Sequence, residues 1–102
     1  MKTITEWIEV CHKGAKDKGF WEKERNVGEM LMLIVSELGE AVEAHRKGTH
    51  GMLTKDTFED ELADTAIRLF DLCGGLGIDL EKQIEWKLAF NKSRAEKHGA
   101  RY

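Results

Sequence analysis

Proline is absent from these 102 residues, so glycine, at 10 residues, supplies the punctuation between helices. Cysteine is scarce: Cys11 and Cys73 lie far apart, each among apolar residues, with no CxxC between them. That usage favours a reduced, cytoplasmic protein in which both thiols are small core residues over one with a disulfide between them. Aromatic residues make up only 8% of the chain. A basic excess is missing as well; the net charge of −3 provides no electrostatic footprint for a nucleic-acid polymer. No apolar run is long enough to cross a membrane, and the N-terminus carries no secretory pattern, so no membrane partner is expected. Linkers, repeats and low-complexity segments are also lacking. What remains is 41% hydrophobic and 34% charged residues, which suits one helical domain over residues 1–102 with one modest core.

Four helices follow from the apolar period, and the fold class is all-α. The first runs from about Thr5 to Lys18, with Ile4, Trp7, Ile8, Cys11 and Ala15 on one stripe and Gly19 as its stop. His12 lies beside that stripe as a boundary residue. The second starts with Asn26 as N-cap and runs to Lys47, stopped by Gly48. A loop from Gly48 to Thr54 leads to a third helix that starts near Asp56, its early acids suiting the positive end of the helix dipole. Phe58, Leu62, Ala63, Ala66, Leu69, Phe70 and Cys73 form its expected core face. Asp60, Glu61, Asp64, Arg68 and Asp71 fall on the opposite side, as on any surface helix, and only a partner helix or subunit covering that stripe would turn it into a site. Gly74, Gly75 and Gly77 are expected to break the chain. The fourth helix runs from about Asp79 to His98, with Leu80, Ile84, Leu88 and Ala95 as its apolar stripe, Gly99 as its stop and a basic tail beyond Lys97.

The chemistry is concentrated in two acid pairs. Glu37 and Glu40 are followed, after 20 intervening residues, by Glu61 and Asp64. Each pair is spaced i, i+3, which puts both carboxylates on one helix face about a turn apart. Two such helices facing each other would converge four carboxylates, whose mutual repulsion calls for a hard divalent cation such as Mg²⁺. A paired-acid spacing alone is common in charged helices. The neighbours of Glu37 carry more weight: Met30, Leu33, Ile34, Ala41 and Ala44 surround it on its own face. A carboxylate in that apolar arc costs several kcal/mol unless compensated by a metal ion or by a buried pair with Arg or Lys.

Other candidates are ligand-binding groups. Phe20 and Trp21 are adjacent on a loop and cannot both easily enter one core, so one of them could line a pocket for a flat ring. Covering the end of the bundle is an equal alternative. Asn91 falls in the apolar stripe of the fourth helix between Lys87 and Arg94, as a phosphate-binding group or as a core asparagine bonded to a backbone carbonyl.

Taken together, these residues resemble the MazG-like all-α nucleoside triphosphate pyrophosphohydrolases of the short, single-domain type. Glu37-x-x-Glu40 and Glu61-x-x-Asp64 carry the resemblance with Gly19-Phe20-Trp21, Leu33-Ile34-Val35-Ser36-Glu37-Leu38 and Leu76-Gly77-Ile78-Asp79. Lys87-x-x-x-Asn91-x-x-Arg94 and Lys97-His98-Gly99 extend it over nearly the whole chain. Ala95-Glu96 departs from it, where a proline and an aromatic would be expected. The resemblance implies a four-helix bundle completed by oligomerisation, as a dimer or tetramer. It implies Mg²⁺, with Mn²⁺ able to stand in, held by Glu37, Glu40, Glu61 and Asp64, the catalytic set. It implies cleavage of a nucleoside triphosphate between the α- and β-phosphates. Lys87, Asn91, Lys92 and Arg94 would hold phosphate oxygens, and Trp21, with Phe20 or Trp7, would wall in the base. Dimeric dUTP-hydrolysing enzymes share the acid logic, usually in a longer chain. Two rivals differ in class. A non-catalytic helical dimerisation or regulatory module would leave the acids solvated or salt-bridged. A di-iron or di-manganese bundle would want Glu-x-x-His pairs, and no histidine follows either acid pair at that spacing.

Overall fold

The computed structural model describes residues 1–98, and side chains as far as Arg94. Within that span the chain forms α1 (Ile4–Asp17), α2 (Val27–Arg46), α3 (Phe58–Leu76) and α4 (Leu80–His98), with no strand among the described residues. Gly99, expected to stop the last helix, and the tail after it lie outside the described residues, as does the side chain of Ala95.

The helix starts follow from short polar side chains. Thr3 and Glu6 form a capping box on α1, Asn26 accepts from the Glu29 amide on α2, and Thr57 accepts from the Asp60 amide on α3. Asp79 plays the same part for α4, its Oδ1 taking the Lys82 amide at 3.0 Å. The stops at Gly19 and Gly48 are as expected. At each, the next amide reaches back to the carbonyl five residues earlier, Phe20 to Ala15 and Thr49 to Ala44.

α3 is the central element, packed along both α1 and α2. That position overturns part of the expected partition of its faces. Glu61 and Asp71, assigned to the outer side, are buried at 8% and 7% exposure, whereas Leu62, assigned to the core, is 43% exposed. Leu72 and Cys73 are buried beside Asp71. A helix flanked on two sides buries a wide arc, and in the row Glu61, Asp64, Arg68 and Asp71, at spacings of three and four, its two ends are buried, Asp64 is half-buried and Arg68 stays exposed. An apolar period alone cannot say that a polar row faces inward.

The glycines of α3 are the second correction. Gly74 and Gly75 do not break the helix; they lie inside it, and only Gly77 ends it, in a left-handed conformation. Their role is close approach. A Cβ on Gly74 would sit 2.6 Å from the His12 Cβ, and one on Gly75 would intrude on the Trp21 ring.

α4 packs chiefly on α1, where the Thr5 amide donates to Glu81 Oε1 at 3.2 Å. Leu88 and Asn91, both expected on an inward stripe, are exposed. With this helix standing off, the radius of gyration is 16.2 Å, against about 13 Å for a compact chain of this length.

Candidate metal and nucleotide site

Three of the four acids come together. Glu37, from the middle of α2, faces Glu61 and Asp64 in the first turns of α3, and one oxygen of each lies within 4.8 Å of the others. The Glu37 side chain is 18% exposed, and its inward neighbours Met30, Ala41 and Ala44 are buried, as the wheel predicts. Glu40 is exposed one turn further on; it borders a shallow recess that also includes Lys47, Asp56 and Glu61.

Electrostatics register the crowding. Burial pushes the Glu61 carboxyl above its ordinary value, helped by the charges of Asp64, Glu37, Glu40 and Asp60. Asp64 is raised too, first by burial and then by Asp60 and Glu37, with Arg68 opposing. Arg68 is the cation on this side: its Nε donates to Glu37 Oε1 at 3.0 Å. One guanidinium facing three carboxylates leaves the group under-compensated. The donor set is all oxygen, as hard divalent cations require. Its 4.8 Å envelope is close to the roughly 4.2 Å that separates opposite ligands of an octahedral Mg²⁺. The residues fit such an ion.

A raised carboxyl pKa makes folding favour the protonated form, so stability falls as pH rises through the raised value. The metal-free protein should therefore melt at a higher temperature as pH is lowered from 7 towards 4.5, the ordinary glutamate value. Below that point Glu59 opposes the trend, because the Gly51 amide and other hydrogen bonds hold its carboxyl low. Thermal melts in chelator across this range, beside Glu61→Gln, check the expectation; a slope as steep in the variant would remove Glu61 from the cause.

Glu37 and Asp64 open onto a cavity of about 580 Å³ between α1, α2 and α3, while Glu61 faces the recess beside Glu40. Glu37, Asp64 and Arg68 stand at its wall, with Phe20, Arg25 and Asp71 elsewhere on the lining. Of the two loop aromatics it is Phe20 that lines the cavity. Trp21 covers Gly75, donates from Nε1 to Asp71 Oδ1 at 2.8 Å, and meets the His12 ring edge-on at 5.1 Å. It stands behind the lining, holding Asp71. Trp7 is exposed near Lys2.

Lys87, Asn91, Lys92 and Arg94 are exposed on α4, and none of them lines the cavity of its own chain. The Lys87 Nζ and Arg94 Cζ instead lie 5.0 and 5.8 Å from the Phe90 ring, which stacks on Trp86.

Compared with known proteins, the chain matches no protein-family model, no curated protein and no solved structure.

Sequence reasoning gave no site role to Arg25, Arg68 and Asp71. Arg68 and Asp71 could have been found from their register with Glu61 and Asp64, had the row been read as facing inward. Nothing in the local pattern around Arg25 marks it, because a loop side chain acquires its neighbours only from the fold.

Proposed function

We propose that this chain is a Mg²⁺-dependent nucleoside triphosphate pyrophosphohydrolase of the MazG-like type, releasing nucleoside monophosphate and pyrophosphate. The observation that carries the reading is the convergence of Glu37, Glu61 and Asp64 from two helices beside a cavity of nucleotide size. A bound Mg²⁺ or Mn²⁺ would offset the triphosphate charge, polarise the phosphorus centre and acidify an attacking water. Glu37, Glu61 and Asp64 are the residues that would hold it, with Glu40 a turn away. Asp64 or Glu40 would orient or deprotonate the water. Phe20 offers the cavity a flat apolar face for a base.

Self-association belongs to this reading. The chain exposes 8072 Å², whereas a compact 11.7 kDa monomer exposes about 5,900 Å². Leu31, Met32, Val35 and Val42 of α2 and Trp86 and Leu88 of α4 contribute exposed apolar surface of the kind a dimer or tetramer covers. Lys87, Asn91, Lys92 and Arg94 would then serve phosphate oxygens across an interface between copies. A cytoplasmic location agrees with the free thiols and with the absence, among the described residues, of a helix able to cross a membrane.

The Arg68–Glu37 contact favours one other reading, a non-catalytic module with a salt-bridged acid cluster. Pyrophosphate release from a panel of canonical and modified (d)NTPs, with and without Mg²⁺, separates the two. The enzyme yields monophosphate and pyrophosphate only with the metal, and Mg²⁺ alone raises its melting temperature. Orthophosphate as product, or neither turnover nor a melting shift, sinks the proposal.

A further inference from the structure

Asp71 and Arg25 form a second polar pair on the cavity lining, apart from the carboxylate group. The Asp71 side chain is only 10% exposed, and its Oδ1 is fully engaged. Trp21 Nε1 donates to that oxygen at 2.8 Å, and His12 Nδ1 lies 2.9 Å from it. Oδ2 is different. Among the described residues its polar neighbour is the Arg25 Nη1 at 3.9 Å, beyond hydrogen-bonding distance. No described buried side-chain atom lacks a partner, so this oxygen is not sealed from solvent.

With Oδ1 taken by Trp21 and His12, a bidentate contact with Arg25 is closed off, and at 3.9 Å the guanidinium does not close even on Oδ2. Here the carboxylate is held on one side by a tryptophan and a histidine, while its other oxygen stays open at a cavity wall. Arg25 is held as well, its guanidinium 5.5 Å from the Trp21 ring. The arrangement presents an acceptor and a donor side by side, each backed by protein.

Resting on the reading of this cavity as a nucleotide site, we propose that Asp71 and Arg25 select a base bearing an exocyclic amino group over uracil or thymine. The amino group of cytosine, adenine or guanine donates to Oδ2, and the unprotonated ring nitrogen beside it, N3 of cytosine, N1 of adenine or N3 of guanine, accepts from Arg25. An imide is matched less well. It places a carbonyl on each side of its single N–H; Arg25 covers one, and the other meets the carboxylate. A site built to hydrogen-bond one edge rejects the mismatched edge strongly, because its buried polar groups are left unpaired.

The test uses the full chain with dATP, dCTP, dGTP, dUTP and dTTP, and beside turnover the calorimetric binding of the five deoxynucleoside monophosphates. At least one amino-bearing nucleotide should exceed dUTP and dTTP by about tenfold or more in kcat/KM, and its monophosphate should bind more tightly by a similar factor. Asp71→Asn should erase most of that preference through KM, since an amide can also donate to an imide carbonyl. If no nucleotide is hydrolysed yet the monophosphates show the preference and lose it in the variant, the base site stands and the pyrophosphohydrolase reading falls. No preference in the native chain, no monophosphate binding, or an equal loss for all five in Asp71→Asn overturns the inference. Should that variant fail to fold, Arg25→Met takes its place: loss of the preference supports the pair, and an unchanged preference rejects it.

Discussion

Glu61→Gln is expected to lose at least about 100-fold in pyrophosphate release while its metal-free form melts at a higher temperature than the native chain. The two effects share one cause. Glu61 is buried among Asp64, Glu37, Glu40 and Asp60, and these neighbours and its own desolvation disfavour its charge. Gln keeps the shape and removes the charge, so repulsion is relieved. The same charge is what an all-oxygen site offers a divalent cation. Changing groups that merely orient metal ligands already costs 10–100-fold, which makes about 100-fold a lower expectation for a ligand itself. The Mg²⁺-induced rise in melting temperature should shrink in the variant. Pyrophosphate assays and melts in chelator and in Mg²⁺ provide all three readouts. Full activity, or a metal-free variant that melts lower, would mean that Glu61 is a structural residue bonded in a way the native geometry does not contain.

Gly75→Ala should unfold the protein far more readily, although alanine favours helix by about 1 kcal/mol over glycine. The added Cβ would meet three atoms of the Trp21 six-membered ring. That ring cannot swing away without breaking its 2.8 Å hydrogen bond to Asp71 and its edge contact with His12. Overpacking of this kind costs about 1–3 kcal/mol, and disturbing a buried carboxylate that loses a donor adds to it. A net loss near 2 kcal/mol corresponds to about 8–16 °C in a domain of this size. Gly39→Ala is the contrasting case. Nothing lies within 4 Å of its prospective Cβ in α2, so the helix preference acts alone and the melting temperature should rise. Equal shifts in the two variants would show that the ring is free to move.

The Gly75 case also shows why the chain alone points to a break at a glycine cluster that the fold keeps helical. Two consecutive glycines at the end of an apolar run signal a break in any local reading. They are tolerated in a helix here because other segments, His12 from α1 and Trp21 from the following loop, come too close for a side chain. The same limit applied to α3. Its polar row and its apolar row are equally regular, and only the presence of α1 and α2 on two sides decides that Glu61 and Asp71 turn inward while Leu62 turns out.

What the chain by itself determined is local. Helix number and class, the caps at Asn26 and Asp79, the stops at Gly19 and Gly48, and the inward side of Glu37 follow from propensity, capping chemistry and a 3.6-residue period. Those forces act over a few residues, and the sequence states them directly. Everything that joins distant segments was decided by tertiary packing. That includes which three acids meet, which loop aromatic lines the cavity, and how Asp71 gathers Trp21, His12 and Arg25 from two other parts of the chain. Such contacts depend on which faces of three helices are pressed together, and a helix wheel carries no record of its neighbours.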